Sequence, residues 1–101
     1  MLKLPLQSGI GNARQQFSVT LGDFNFSISV YYLSAFDTPS WGCDIDIDGT
    51  RVVSGAMLRP GSDLLEHYQE LVAGHLVFVG EDPTIDNLGS SNSLIWVGPD
   101  E

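Results

Sequence analysis

The stretch QQFSVTLGDFNFSISVYY, residues 15–32, decides the fold. Phe17, Val19 and Leu21 alternate with Gln16, Ser18 and Thr20. After Gly22-Asp23 the alternation resumes with Phe24, Phe26, Ile28, Val30 and Tyr32. This period-two pattern belongs to strands with one buried face. A two-residue turn at Gly22-Asp23 pairs residue 21 with 24, 19 with 26 and 17 with 28, so both apolar sets fall on one face of the ribbon. Turn chemistry and register agree on an antiparallel hairpin.

A second hairpin follows a loop, Ser34 to Ser40, that carries Pro39. Trp41, Cys43, Ile45 and Ile47 form its apolar face, with Asp44, Asp46 and Asp48 opposite. A turn at Asp48-Gly49 pairs Ile47 with Thr50 and Asp46 with Arg51. The latter is an ion pair worth ~0.2–1 kcal/mol on an exposed surface, and it leaves Asp44 as the more exposed charge. Val52, Val53, Ala56, Met57 and Leu58 continue the return strand.

Beyond it the period changes. Leu64, Leu65, Tyr68, Leu71 and Val72 have helical spacing behind an Asp63/Glu66 pair that resembles a capping box, which predicts one short helix or an irregular segment near 62–73. His75 to Val79 is an apolar strand, residues 80–93 are a turn-rich loop and Leu94 to Val97 is the last strand. Pro5 restricts Leu2 to Leu6, within residues 1–14, to an edge strand or an arm, and residues 98–101 make an acidic tail. The expected architecture is mainly β: a small antiparallel β-sandwich or open barrel of about six to seven strands, in a single domain spanning 1–101.

Four Lys plus Arg against thirteen Asp plus Glu give a net charge of −9, which repels phosphate backbones and disfavours nucleic-acid binding. Cys43 is alone, so no internal disulfide forms. The N-terminus lacks the apolar run of a signal peptide, and no stretch approaches membrane-spanning length.

Asp44, Asp46, Asp48 and Gly49 match the first half of an EF-hand loop, but the twelfth position is Gly55 rather than Glu, and the flanks alternate as strands. Alternate carboxylates on a strand lie ~6.5–7 Å apart, too dispersed for one ion. These residues read as a solvated face and a turn, and no metal is assigned to them. Glu81, Asp82 and Asp86 sit in a polar loop and read as turn formers. His67 and His75 lack partners at metal-ligand spacing. Cys43 beside a row of aspartates has a disfavoured thiolate. No nucleophile, catalytic residue or cofactor site emerges. Apolar residues on both strand faces are more informative: Tyr31, Val53, Met57, Val77, Val79, Ile95 and Val97 stand opposite core residues, which predicts that they meet another chain.

The ordered series of Pro5-Leu6, the hairpin from Gln15, W-x-x-D-I-x-x-D-G at Trp41 to Gly49, V-S-G-A-M-L at Val53 to Leu58, G-x-D-L-L at Gly61 to Leu65, LVFVGEDPT at Leu76 to Thr84 and D-x-L-G at Asp86 to Gly89 resembles the phage baseplate plug family of contractile-tailed bacteriophages. The resemblance covers nearly the whole chain. It implies a structural virion protein without catalysis or cofactor, a plug in the baseplate hub that closes the tail lumen until DNA ejection. The implied partners are other baseplate proteins of the hub and spike, in symmetric copies around the tail axis, with assembly in the host cytoplasm, no membrane, and no direct nucleic-acid binding despite proximity to the DNA path. The residues alone leave two other readings. One is a calcium- or carbohydrate-binding β-sandwich with Trp41, Tyr31, Tyr32 or Trp96 as stacking platforms. The other is a small hydrolase or isomerase, which requires a pocket of convergent polar groups.

Overall fold

The computed structural model describes residues 2–33, 40–69, 72 and 74–98. Seven strands run through them: β1 (Leu2–Leu4), β2 (Arg14–Leu21), β3 (Phe24–Leu33), β4 (Ser40–Ile47), β5 (Thr50–Met57), β6 (His75–Gly80) and β7 (Asn92–Val97). They form two antiparallel sheets that do not close into a barrel, one ordered β2-β3-β4-β5 and the other β1-β7-β6. The predicted loop over 34–40 falls outside the described residues except for Ser40, which opens β4. The predicted acidic tail falls outside them except for Gly98.

Two tight turns set the register within each hairpin of the larger sheet. Gly22, at φ 61, starts the first turn, and Leu21 pairs with Phe24, Val19 with Phe26 and Phe17 with Ile28, as the alternation predicts. Asp48 and Gly49, at φ 50 and 86, make a turn with both central residues left-handed, the form whose twist suits a hairpin. Ile47 then pairs with Thr50 and Asp46 with Arg51.

Past Arg51 the simple register fails. Ile45 faces Val53 rather than Val52, and Cys43 faces Ala56, so β5 carries one extra residue before Val53 and another around Ser54-Gly55. Gly55, at φ 69, supplies the left-handed conformation for the second bulge. The first bulge turns Val53 into the core at 5% exposure, so this residue, predicted to face a partner, faces its own chain.

The inner faces of the sheets enclose Trp41, Phe26, Ile28 and Ile45 on one side and Leu76, Phe78, Leu94 and Trp96 on the other. Burying each large side chain contributes ~1.5–3 kcal/mol. The Trp41 indole N–H also donates to the Thr84 carbonyl at 3.0 Å, which fastens the loop before β7 to the core. The Phe26 and Trp96 rings meet edge to face at 5.8 Å between centroids.

Of the two options predicted near 62–73, the irregular one is observed. Its described residues form successive turns, because Leu64, Leu65 and Val72 use their helical spacing to anchor in the core. Residues 61–64 instead line the free side of β6: Gly61 N–H donates to Phe78 O, Phe78 N–H to Ser62 O and Leu64 N–H to Leu76 O. Asp63 Oδ1 accepts from the amides of Leu65 and Leu76, so the predicted helix cap ties a loop to a strand. Leu71 lies outside the described residues.

The loop before β7 is closed by Asn92, buried and bonded to Gly89 N–H, Glu81 O and Asn87 Oδ1. Gly89 has φ 85, and a Cβ there would collide with the Leu6 carbonyl oxygen. Gly89→Ala should therefore destabilise the fold by ~1–3 kcal/mol. In a thermal melt this appears as a fall of about 4–8 °C for each kcal/mol in a chain of this size.

Candidate functional site

The outer face of the four-stranded sheet is mostly polar. Its cross-strand rows are Ser18, Ser27 and Asp46 with Arg51, then Gln16, Ser29 and Asp44, then Arg14, Tyr31 and Gly42 with Met57. Alternation produces this face, since the odd positions of β2 and the even positions of β3 are already committed to the core.

Each aspartate of the β4 row has its own donor. Asp44 Oδ1 accepts from the Tyr31 hydroxyl at 2.9 Å and the Gly55 N–H at 2.7 Å, and its Oδ2 lies 3.4 Å from Arg51 Nη1. Asp46 accepts from Arg51 Nε. Asp48 Oδ1 takes the Asn25 N–H at 2.9 Å. Arg51 thus bridges two carboxylates, where the sequence predicted only Asp46. Asp44 is the less exposed of the pair, 22% against 32%, which reverses the expectation that it would be the freer charge. The bulge at Gly55 brings the extra N–H.

Desolvation pushes the Asp44 carboxyl up, but the Gly55 N–H, the Tyr31 hydroxyl and the Arg51 and Arg14 guanidiniums outweigh it and hold the group below its ordinary value. The Tyr31 phenol is raised by burial and by donating to Asp44. Burial, with Asp44 adding, pushes the Cys43 thiol up to about 12, so it stays protonated and inert. Among the described residues, no group of three His, Cys, Asp or Glu side chains is arranged to hold a metal. Asp44, Asp46 and Asp48 serve the sheet instead.

Stacking platforms are equally absent where the sequence proposed them. Trp41 and Trp96 are buried, Tyr32 packs on Trp41 at 5.3 Å between centroids, and the Tyr31 ring lies on Gly42 with the Arg14 guanidinium 5.7 Å from its centre. The carbohydrate reading loses its aromatic residues to the core and the sheet.

The outer face of the three-stranded sheet differs. Lys3, Ile95 and Val77 form one row, Val97 and His75 a second, Ser93 and Val79 a third. Val77, Ile95 and Val97 are partly exposed and Val79 is 41% exposed. No strand position on this face carries a carboxylate, and the neighbouring Asp63 Oδ2 is held by His75 Nδ1 at 2.6 Å. Four of the seven predicted interface residues thus share one face. Tyr31 and Met57 lie on the other sheet and Val53 is in the core.

Met57 also lines a shallow cleft of about 510 Å³ between β5 and residues 61–68, with Ala56, Asp63, Glu66, His67 and Tyr68. Asp63 spends its oxygens on two amides and His75. Glu81, Asp82 and Asp86 are exposed on a loop held by Thr84 and Asn87, which exchange side-chain to backbone bonds at 2.7 and 3.1 Å. Asp63 is the residue whose role the sequence hid. Its signal, a cap-like Asp before an apolar run, reads the same for a helix start and for a strand tie.

A family model described as cyanophage baseplate Pam3 plug gp18 matches residues 1–100. A search of curated proteins gave no match.

Two measurements check the site. Thermal melts with calcium and with chelator should coincide, and a shift of several degrees would restore the ion site. The folded-state value of Asp44 lies below the unfolded one, so its stabilisation is present above about pH 4 and is lost as pH falls through the folded value. Asp44→Asn should therefore cost ~1–2 kcal/mol at pH 7, with the gap to the unsubstituted chain narrowing at pH 3.

Proposed function

The chain belongs to the cyanophage baseplate plug family, and from that premise we propose that it closes the lumen of the phage tail at the baseplate hub until DNA is ejected. Membership makes it a structural protein of the tail baseplate that associates with other baseplate proteins, and a structural family argues against an enzyme. The observation that carries the reading is the extent of the match, residues 1–100 of 101.

The two outer faces suit the two demands on such a plug. A wall beside a DNA path has to avoid holding the polyanion. A chain of net charge −9, whose Arg14 stands at a tyrosine ring and whose Arg51 bridges two carboxylates, offers phosphate little to bind. A seat in an assembly needs apolar surface. Val77, Val79, Ile95 and Val97 supply it beside Lys3, and this is the face we assign to hub or spike neighbours, with Met57 and Tyr31 as outlying contacts. In this reading several copies surround the tail axis, assemble with the baseplate in the host cytoplasm, and are displaced or opened when the tail fires. Contacts of modest area favour such release, because holding an obligate interface of core-like size would resist it.

A cryo-EM map of the virion tests the placement: density for this chain is expected on the axis below the tail tube, and density only at the baseplate periphery would sink the reading. The face is tested separately. Val79→Glu with Ile95→Glu should leave the melting temperature of the isolated chain within a few degrees while reducing its incorporation into particles, measured against tail-tube protein in purified virions.

A further inference from the structure

Each of the two sheets has two edges, and three of the four are closed to further pairing. The free side of β6 is bonded to residues 61–64, β5 is bent by two bulges, and β1 is three residues long and runs into Pro5. Bulges, short strands, proline and covering segments are the ordinary means by which proteins block an edge. β2 has none of them. It pairs with β3 without a break from Arg14 to Leu21, contains no proline, and carries no carboxylate in a chain with thirteen.

The geometry of that edge is defined by its pairing. Tyr32 N–H donates to Ala13 O, so the odd positions of this strand direct their backbone groups at β3. Arg14, Gln16, Ser18 and Thr20 therefore direct theirs away from the sheet, and among the described residues no other element receives them. The apolar side is unfinished as well. Phe17 and Val19 remain partly exposed, while Ile28 and Phe26, their partners on β3, are 0% and 1% exposed.

We propose that a second copy of this chain pairs antiparallel with β2, joining the two four-stranded sheets into one. The strand is complementary to itself. When Arg14 lies opposite Thr20 of the other copy and Gln16 opposite Ser18, every outward amide and carbonyl finds a partner, giving about eight bonds. Paired residues then lie on the same face, so Phe17 meets its own copy at the two-fold axis, with Cα atoms about 4.5 Å apart. Both exposed phenylalanines are covered at once, and the two cores become continuous. Each Arg14, the strand's only charge, points towards the end of the other copy that bears the exposed Asp23 turn. Because β2 carries no carboxylate, its edge can approach a second copy without acids meeting along the ladder. The area of one strand edge is small, so the association is concentration-dependent. The inference does not depend on the plug reading.

Sedimentation velocity of the full chain from about 1 μM to about 1 mM tests it. A monomer-dimer equilibrium is expected. Ser18→Pro removes an outward N–H but no bond to β3, and should weaken the dimer at least about tenfold with unchanged circular dichroism. Should that variant fail to fold, Gln16→Lys with Ser18→Lys, which places lysines opposite each other across the axis, serves the same purpose. Gln16→Cys mixed with Ser18→Cys should crosslink between chains in preference to Ser18→Cys alone, since Cys43 is buried. A monomer throughout the range, an assembly larger than a dimer, or a dimer untouched by the edge substitutions overturns the proposal.

Discussion

Side-chain parity across two tight turns is the constraint from which the rest of the structure follows. A strand places successive side chains on opposite faces, so a one-residue slip at either turn would exchange the core for the surface. The turns at Gly22-Asp23 and Asp48-Gly49 prevent that slip by their backbone signs. They align Phe17, Val19 and Leu21 with Ile28, Phe26 and Phe24, and Ile47 with Thr50, while the pairing of β3 with β4 sets Phe26, Ile28 and Val30 against Ile47, Ile45 and Cys43 and the serines of β3 against the aspartates of β4. The core and the polar wall are two readings of one register.

This also explains what could be read from the sequence. The hairpin register, the Asp46/Arg51 pairing, the last two strands and the family resemblance all follow from local alternation, apolar runs or motif order, which a linear chain displays. The features that stayed hidden involve non-local choices. Val53 faces inward because β5 gains a residue against β4, and only the partner strand reveals that gain; Gly55 within an alternating run was the visible trace of a bulge. Residues 62–69 carry helical spacing, yet the unpaired side of β6 offers backbone partners that a helix would have to forgo. The aspartate row matched an ion-binding pattern because that pattern specifies spacing but not who already holds the carboxylates.

The two outer faces differ in chemistry. One is polar, acidic and internally satisfied, with its cations committed to Asp44, Asp46 and Tyr31. The other gathers valine and isoleucine around Lys3 with its nearest acid paired to His75. A molecule so polarised can sit between an apolar neighbour and an aqueous channel without paying twice in desolvation. Its acidity need not oppose assembly there, because no strand position on the apolar sheet face carries a carboxylate.

Asp63 carries a consequence of a different kind. Its carboxylate holds the amides of Leu65 and Leu76 and the ring of His75, while the backbone beside it is laced to Leu76 and Phe78. The strap is therefore tied to β6 by backbone and side chain together, and the bonds between them should open as one cooperative unit. The amide protons of Leu64, Leu76 and Phe78 would then exchange with solvent at a common free energy, separable from the hairpins that build the other sheet.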